Sequence, residues 1–318
     1  MNILYELKDA ASVGITGHVR PDGDCLGSTL GLYNYLKCNR PELKVDIFLE
    51  EPGKEFAYLS GIENIKNVPE NTHYDVFIVL DCSSKDRIEP FVQCFNNAKR
   101  TICIDHHVSN CDFADENLVV PGASSTCEVL YGTFDEEKVD KNVAECIYTG
   151  IIHDTGVFKY SCTSAKTMTI AGKMMEKGID YSDIIDNSFY KKTYVQNQIL
   201  GRALLESVLF YDGRCIFSNV TKDEMDFYGV TGKELGGIIE QLRLTDGVEV
   251  AIFLYETGDN EYKVSMRSKK YIDVSRIATA FGGGGHVRAA GFTGTGTVYG
   301  IINKIGEMIE QQYSEENV

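Results

Sequence analysis

The stretch VGITGHVRPDGDCLGSTLGLYNYL, Val13 to Leu36, decides how the chain is built. VGIT (13–16) is short and contains β-branched residues, the mark of a buried strand. After a turn containing Pro21 and Gly23, Leu26, Leu30, Tyr33 and Leu36 recur at helical spacing. KVDIFL (44–49), DVFIVL (75–80) and RTICI (100–104) repeat the strand pattern, and a further helix is expected around Val139 to Ile152. Alternation of this kind predicts an α/β fold: an N-terminal, mostly parallel sheet flanked by helices. From Ala165 to about Leu205 the pattern is mainly helical, through Met168, Ile170, Ile184, Ile185 and Ile199. Strands then return at 207–219 and 248–267, with a helix near 234–243. A helix at 273–281 runs into GGGGH, and a helix at 298–311 closes a smaller C-terminal α/β domain. The expected organisation is a first domain at 1–185, a helical connector at 186–205 and a second domain at 206–318.

At 318 residues the chain is long enough for two cores. Its 43% hydrophobic and 25% charged content is that of a globular protein. The ten cysteines form no C-x-x-C pair, which argues against a zinc ribbon or a redox motif, and they read as reduced thiols. The opening MNILYELKDA carries Glu6, Lys8 and Asp9, unlike a signal peptide, and no apolar run reaches the ~20 residues that span a bilayer. A cytoplasmic protein without a membrane partner is expected. The formal charge of −16 excludes a surface that grips long duplex nucleic acid, which needs a basic track. One segment departs from the acidic excess. Between Tyr262 and Ala290, six basic residues (Lys263, Arg267, Lys269, Lys270, Arg276, Arg288) face one Asp273, a net of +5. A basic patch on an acidic protein suits a small anionic ligand.

The chemistry lies at strand ends. VGITGH ends at His18, VFIVLD at Asp81, and TICIDHH at Asp105, His106 and His107. Asp22 and Asp24 follow the first strand, and Asp154 in IIHDTG follows a helical run. Ligands of open parallel sheets bind beyond the carboxyl ends of the strands, so these groups are expected at one edge. Taken singly, a strand-end aspartate ordinarily caps the next helix, a His–His pair is ordinarily surface or core, and His153 reads as structural. Their joint occurrence has no packing explanation, and so many carboxylates repel one another unless a cation is present. Oxygen-rich donors with a few imidazoles and no thiolate favour Mn²⁺ or Mg²⁺ over a structural Zn²⁺. Such a set suits two ions ~3.5–4 Å apart, the arrangement that clamps attacking and leaving oxygens in phosphoryl transfer.

A second candidate site lies in the basic segment. Gly282, Gly283, Gly284 and Gly285 leave backbone N–H groups free to approach an anion. His286 and Arg288 follow them, and Arg267 and Ser268 stand upstream on an expected strand end. Glycine runs are ordinarily flexible loops; these neighbours make the run a phosphate-site candidate.

H-x-x-x-D-x-D, a strand-end Asp, D-H-H and H-D-T-G, in this order, resemble the DHH phosphoesterase superfamily. RSKKYIDVSRIATAFGGGGHVRAAGF (267–292) resembles its associated C-terminal substrate-binding domain. Within the superfamily the chain is most similar to stand-alone nanoRNases that also dephosphorylate pAp (3′-phosphoadenosine 5′-phosphate). The resemblance implies two Mn²⁺, with Mg²⁺ or Co²⁺ as alternatives: one held by His18, Asp22 and Asp81, the other by Asp24, Asp81, His106 and Asp154. It places His107 near the scissile phosphate, gives Asp105 the task of orienting the histidines, and assigns Arg267 and His286 to a nucleotide phosphate. The implied substrates are short single-stranded RNA and pAp. Cyclic di-AMP or pApA in the same superfamily and a non-hydrolytic nucleotide sensor are the rival readings, and a homodimer is the suggested assembly.

Overall fold

The computed structural model describes residues 1–69 and 73–316. The chain forms two compact units, Met1–Lys191 and Lys192–Val318. Among the described residues the first holds β1 (Ser12–Thr16), β2 (Lys44–Phe48), β3 (Ile65–Lys66), β4 (Val76–Leu80), β5 (Arg100–Asp105) and β6 (Glu116–Val119). They form one sheet in the order β3-β2-β1-β4-β5-β6, and every pairing is parallel. Its helices are α1 (Ile3–Glu6), α2 (Gly23–Asn39), α3 (Val92–Asn97), α4 (Thr126–Tyr131), α5 (Lys141–Asp154), α6 (Ala165–Glu176) and α7 (Tyr181–Ile184).

Both faces of this sheet are covered, as a parallel sheet requires. Along β4, Val76, Ile78 and Leu80 join the core beneath α2 and α5, while Phe77 and Val79 join an aromatic cluster with Phe48, Phe91 and Phe95. The strand therefore reads as a continuous apolar run. The strand order reverses direction between β1 and β4, which are neighbours with Thr16 opposite Val79. A crevice forms at such a switch point, at the carboxyl ends of the strands. The helices α2 and α5 pack closely because Gly27 meets the backbone of Cys146 and Gly150; a Cβ there would lie 2.5 Å from Cys146 O. This approach brings the start of α2, with Asp24, beside the end of α5, with Asp154.

The second unit holds α8 (Tyr194–Leu205), β7 (Val208–Phe210), β8 (Cys215–Val220), α9 (Lys222–Tyr228), α10 (Ile238–Arg243), β9 (Val250–Gly258), β10 (Glu261–Ser268), α11 (Val274–Ala280), β11 (Gly284–His286), β12 (Ala289–Thr295) and α12 (Val298–Glu316). Its mixed sheet runs β11-β12-β10-β9-β8-β7, with β8 and β9 parallel. Val250, Ile252 and Leu254 face α11 and α12, and Ala251 and Phe253 face α8 and α10.

The expected strand at 207–219 is two strands, broken where Tyr211, Asp212 and Gly213 take positive φ. The expected connector is divided: α8 belongs to the second unit, with Ile199 and Ala203 in its core. The sequence reading missed β6, α4, α9 and the β11–β12 hairpin. GGGGH was read as a loop, yet Gly284, Gly285 and His286 pair with Gly291, Ala290 and Ala289. Among the described residues no helix is long and apolar enough to cross a membrane.

Candidate active site

Three neighbouring strands deliver the site. β1 leads to His18, β4 to Asp81 and β5 to Asp105, His106 and His107. Asp81 takes a left-handed φ of 55°, which aspartate tolerates better than most residues, while its N–H donates to Ile104 O at 3.1 Å. Its buried carboxylate divides between two sides. His18 Nε2 lies 3.5 Å from Oδ2, whereas His106 Nε2 and His107 Nδ1 lie 3.8 Å and 3.7 Å from Oδ1. Asp22 joins the first side, 3.6 Å from His18 Nε2. Asp154, the last residue of α5, joins the second, 3.0 Å from His106 Nε2. The ligand atoms of Asp24, His106 and Asp154 come within 4.8 Å of one another, as do those of Asp81, His106 and His107. Five of the six residues expected to hold metal therefore enter such groups, and Asp22 reaches them through His18.

Short polar contacts fix their orientations. Asp22 caps α2, accepting from the N–H of Asp24 and of Cys25 at 3.1 Å each. Asp24 is fully buried and accepts from Thr126 N at 2.6 Å and Cys127 N at 3.0 Å, at the first turn of α4. The Thr126 hydroxyl donates to Asp81 Oδ1 at 3.0 Å. Asp105 Oδ1 accepts from His106 N at 2.8 Å and pairs with His107 Nδ1 at 2.7 Å, while Oδ2 accepts from Asn110 at 2.6 Å. His18 Nδ1 lies 2.9 Å from Val19 O, and His106 Nδ1 lies 3.3 Å from Ala123 O, which leaves each Nε2 facing the carboxylates. Thr126 and Asn110 escaped the sequence reading. So did Cys25, whose Sγ lies within 4.8 Å of ligand atoms of His18 and Asp81. His153 packs against Phe56, Phe189 and Gly23, lies 3.1 Å from Ser188 Oγ and enters none of the ligand groups.

The electrostatics are those of a pocket that demands positive charge. No lysine or arginine among the described residues pairs with Asp22, Asp24, Asp81, Asp105 or Asp154. Burial, then the charges of Asp81 and Asp154, push Asp24 well above the ordinary carboxylate range. Burial also raises Asp154, although His106 opposes it. His18 loses solvation, which works against its charge, yet hydrogen bonding to Asp22 and Asp81 pushes it up to about 10. His106 reaches about 10 in the same way, with Asp154 outweighing burial. Imidazolium protons balance the carboxylates of the bare chain. A divalent cation supplies that charge more effectively, and the donors, imidazole nitrogens and carboxylate oxygens, suit one.

In the second unit, residues 282–288 are exposed. Gly282 needs its positive φ of 77°, and Gly283 has no room for a side chain: a Cβ would lie 2.3 Å from Gly291 O. Gly284 has nothing within 4 Å of such a Cβ. Arg267 lies at the end of β10, where its Nε donates to Glu240 at 2.7 Å. Ser268 is buried and donates to Ile272 O at 2.6 Å, which fixes the turn before α11. Arg288 donates to Ile272 O at 2.9 Å. Of the residues expected to touch substrate, the glycines and His286 are thus the open ones, while Arg267, Ser268 and Arg288 are tied to the chain.

A switch-point crevice lined by five aspartates and three histidines is the signature of a metal-dependent phosphoesterase class. Residues 12–151 match the DHH family, N-terminal domain, and residues 213–315 match the DHHA1 domain. The chain carries a DHH family N-terminal domain followed by a DHHA1 domain. It is similar to the bifunctional oligoribonuclease and PAP phosphatase NrnA of Bacillus subtilis, 28% identical over 279 residues, 86% of each chain. It is likewise similar to the protein of that name from Thermus thermophilus, 28% identical over 304 residues, 92% of this chain and 88% of that one. Among solved structures, an exopolyphosphatase-related protein from Bacteroides fragilis superposes with a TM-score of 0.85 at 26% identity, covering 98% of this chain and 95% of that one.

Proposed function

We propose that this chain is a metal-dependent hydrolase that cleaves short oligoribonucleotides to 5′-mononucleotides and pAp to AMP. The observation that carries the reading is the division of the Asp81 carboxylate, Oδ2 toward His18 and Oδ1 toward His106 and His107. One carboxylate facing two donor sets suits a bridge between two ions. His18, Asp22 and Asp81 would hold one ion, and Asp24, Asp81, His106 and Asp154 the other, with Mn²⁺ the best fit to the oxygen-rich side. When bound, such ions supply a Lewis acid for the phosphoryl oxygens and acidify the attacking water.

The chain's own groups have separable tasks. Thr126 fixes the rotation of the Asp81 carboxylate, and the first N–H groups of α4 fix Asp24. Asp105 holds His107 by Nδ1, and the other ring nitrogen, Nε2, has no partner among the described residues. Hydrogen bonding to Asp105 raises His107 above its ordinary range, against the effect of burial, which favours a proton on the ring. That proton can stabilise the phosphoryl oxygens or pass to the leaving 3′-oxygen as the P–O bond breaks. In the second unit, the exposed glycines and His286 are suited to a 5′-phosphate. Both substrates are 5′-phosphorylated nucleotides with a phosphate on the 3′-oxygen, so the same chemistry of recognition suits both. The net +5 segment favours a small anion while the rest of the chain sums to −21 (−16 less +5), which disfavours long chains.

A panel of pAp, 5′-phosphorylated RNAs of graded length, pApA and cyclic di-AMP, with Mn²⁺ supplied, tests this reading. We expect AMP from pAp and the highest kcat/KM at roughly two to five nucleotides, falling clearly by about twenty. Turnover confined to cyclic di-AMP and pApA would replace it with the cyclic-dinucleotide reading, and no turnover of any substrate would point to a sensor.

A further inference from the structure

The site has a sulfur atom that the proposed chemistry does not use. Cys25, the third residue of α2, is fully buried, and its Sγ lies within 4.8 Å of a ligand nitrogen of His18 and a carboxylate oxygen of Asp81. Among the described residues no other cysteine enters such a group. The sulfur sits directly beneath the turn that leaves β1: a Cβ on Gly17 would lie 2.3 Å from it, so a glycine at 17 is what leaves it room. Its hydrogen bond is a long one, to His18 O at 3.9 Å. The same helix turn that presents Asp22 as its cap thus presents a thiol from below, on the His18 side of Asp81.

The two sides of Asp81 consequently differ in chemistry. The far side gathers Asp24, His106 and Asp154, two carboxylates and an imidazole. The near side gathers His18, Asp81 and Cys25, one nitrogen, one carboxylate and a sulfur, with the Asp22 carboxylate 3.6 Å from His18 Nε2. Thiolate selects borderline and soft ions, whereas carboxylate-rich sets suit manganese and magnesium. Four donors of mixed N, O and S type are also the usual coordination number of zinc.

Resting on the metal-centre reading above, we propose that Cys25 is a metal ligand on the His18 side, so that this side takes a thiophilic ion of the zinc or cobalt class. The carboxylate-rich side takes a manganese- or magnesium-class ion. The Cys25 S–H proton passes to solvent as the ion binds, and the sulfur lone pair forms the new bond. The centre is then mixed by construction, and Cys25 determines which ion enters which side.

The test needs no turnover. Metal-free protein is titrated with Co²⁺ alone while the near-ultraviolet sulfur-to-cobalt charge-transfer band is followed, and zinc-loaded protein is measured by X-ray absorption. We expect a band that saturates at one equivalent and a single sulfur scatterer at about 2.3 Å from zinc. In Cys25→Ala the band should vanish and the Kd of that first equivalent should rise by at least about tenfold, the lower end of what even an outer-shell loss costs. Mn²⁺ binding should be unchanged. Wild-type protein that binds cobalt and zinc with neither band nor sulfur shell would overturn the assignment and leave the metal-centre reading standing. A band that survives in folded Cys25→Ala would overturn it too, by placing the thiolate elsewhere. Should the variant not fold, the wild-type spectra decide alone. Protein that binds no divalent ion would refute both readings together.

Discussion

The Thr126 hydroxyl donates to Asp81 Oδ1 at 3.0 Å with both residues buried, while the Thr126 N–H holds Asp24 at 2.6 Å. One residue at the start of a six-residue helix therefore orients two carboxylates that reach the site from β4 and α2. Thr126→Val keeps the shape but leaves Asp81 Oδ1 without its donor. We expect kcat or metal affinity to fall about 10–100-fold, and Thr126→Ser to restore it. A lowered melting temperature with unchanged metal Kd would reduce Thr126 to a packing role.

The Asp105–His107 pair gives a pH-dependent prediction. Although burial opposes it, hydrogen bonding to His107 and Asn110 holds Asp105 down to about 2 from an ordinary 3.8. His107 is raised from 6.5, chiefly by Asp105. The depressed carboxylate contributes stability above 3.8 that is lost as pH falls through about 2. The raised imidazole contributes stability below 6.5 that is lost as pH rises through its folded pKa. In metal-free protein, the stability difference between wild type and Asp105→Asn should thus be greatest between 3.8 and 6.5 and shrink on either side. NMR titration should find His107 above 6.5 in the wild type and lower in the variant. An unmoved His107 titration would show that Asp105 does not hold it.

Adjacent glycines separate folding from binding. Gly283→Ala forces a Cβ to 2.3 Å from Gly291 O and 2.4 Å from Phe292 Cβ, and should cost about 1–3 kcal/mol of stability. Gly284 faces open space, so Gly284→Val should melt like wild type while raising KM for 5′-phosphorylated substrates. An unchanged KM would remove this hairpin from the binding site.

Thiol chemistry checks the packing of both units. Cys38, Cys111 and Cys162 are exposed and the other seven of the ten cysteines are buried. An alkylating reagent should label three thiols in the folded protein and ten after denaturation. Rapid native labelling of Cys25 or Cys127 would mean that the α2–α5 packing is looser than described.

Much of this was legible in the sequence, and the omissions have physical causes. His18, Asp81 and the Asp105–His107 run stand out because each ends a short apolar strand, and the doubly covered sheet makes those strands continuous in hydropathy. Thr126 was hidden because it follows Ser125, the ordinary cap of α4, and α4 is too short to show a period. Cys25 gave no pattern at all; only the turn beneath Gly17 brings it to the site. Arg267 and Ser268 lie upstream of the glycines, and their side chains hydrogen-bond to Glu240 and Ile272. The β11–β12 hairpin was obscured because glycine is depleted in strands, whereas here neighbouring backbone excludes a side chain at Gly283.

The most direct test of the account counts bound ions and turnover together in wild type and Asp81→Ala. Chelator-treated wild type should be inactive on pAp, bind two divalent ions per chain and recover turnover with Mn²⁺. Folded Asp81→Ala should bind fewer ions and lose about 10³-fold in kcat, the equivalent of several kcal/mol of lost charge stabilisation. A folded Asp81→Ala protein that still binds two ions and turns over within tenfold of wild type would contradict the claim that one carboxylate joins the two sides.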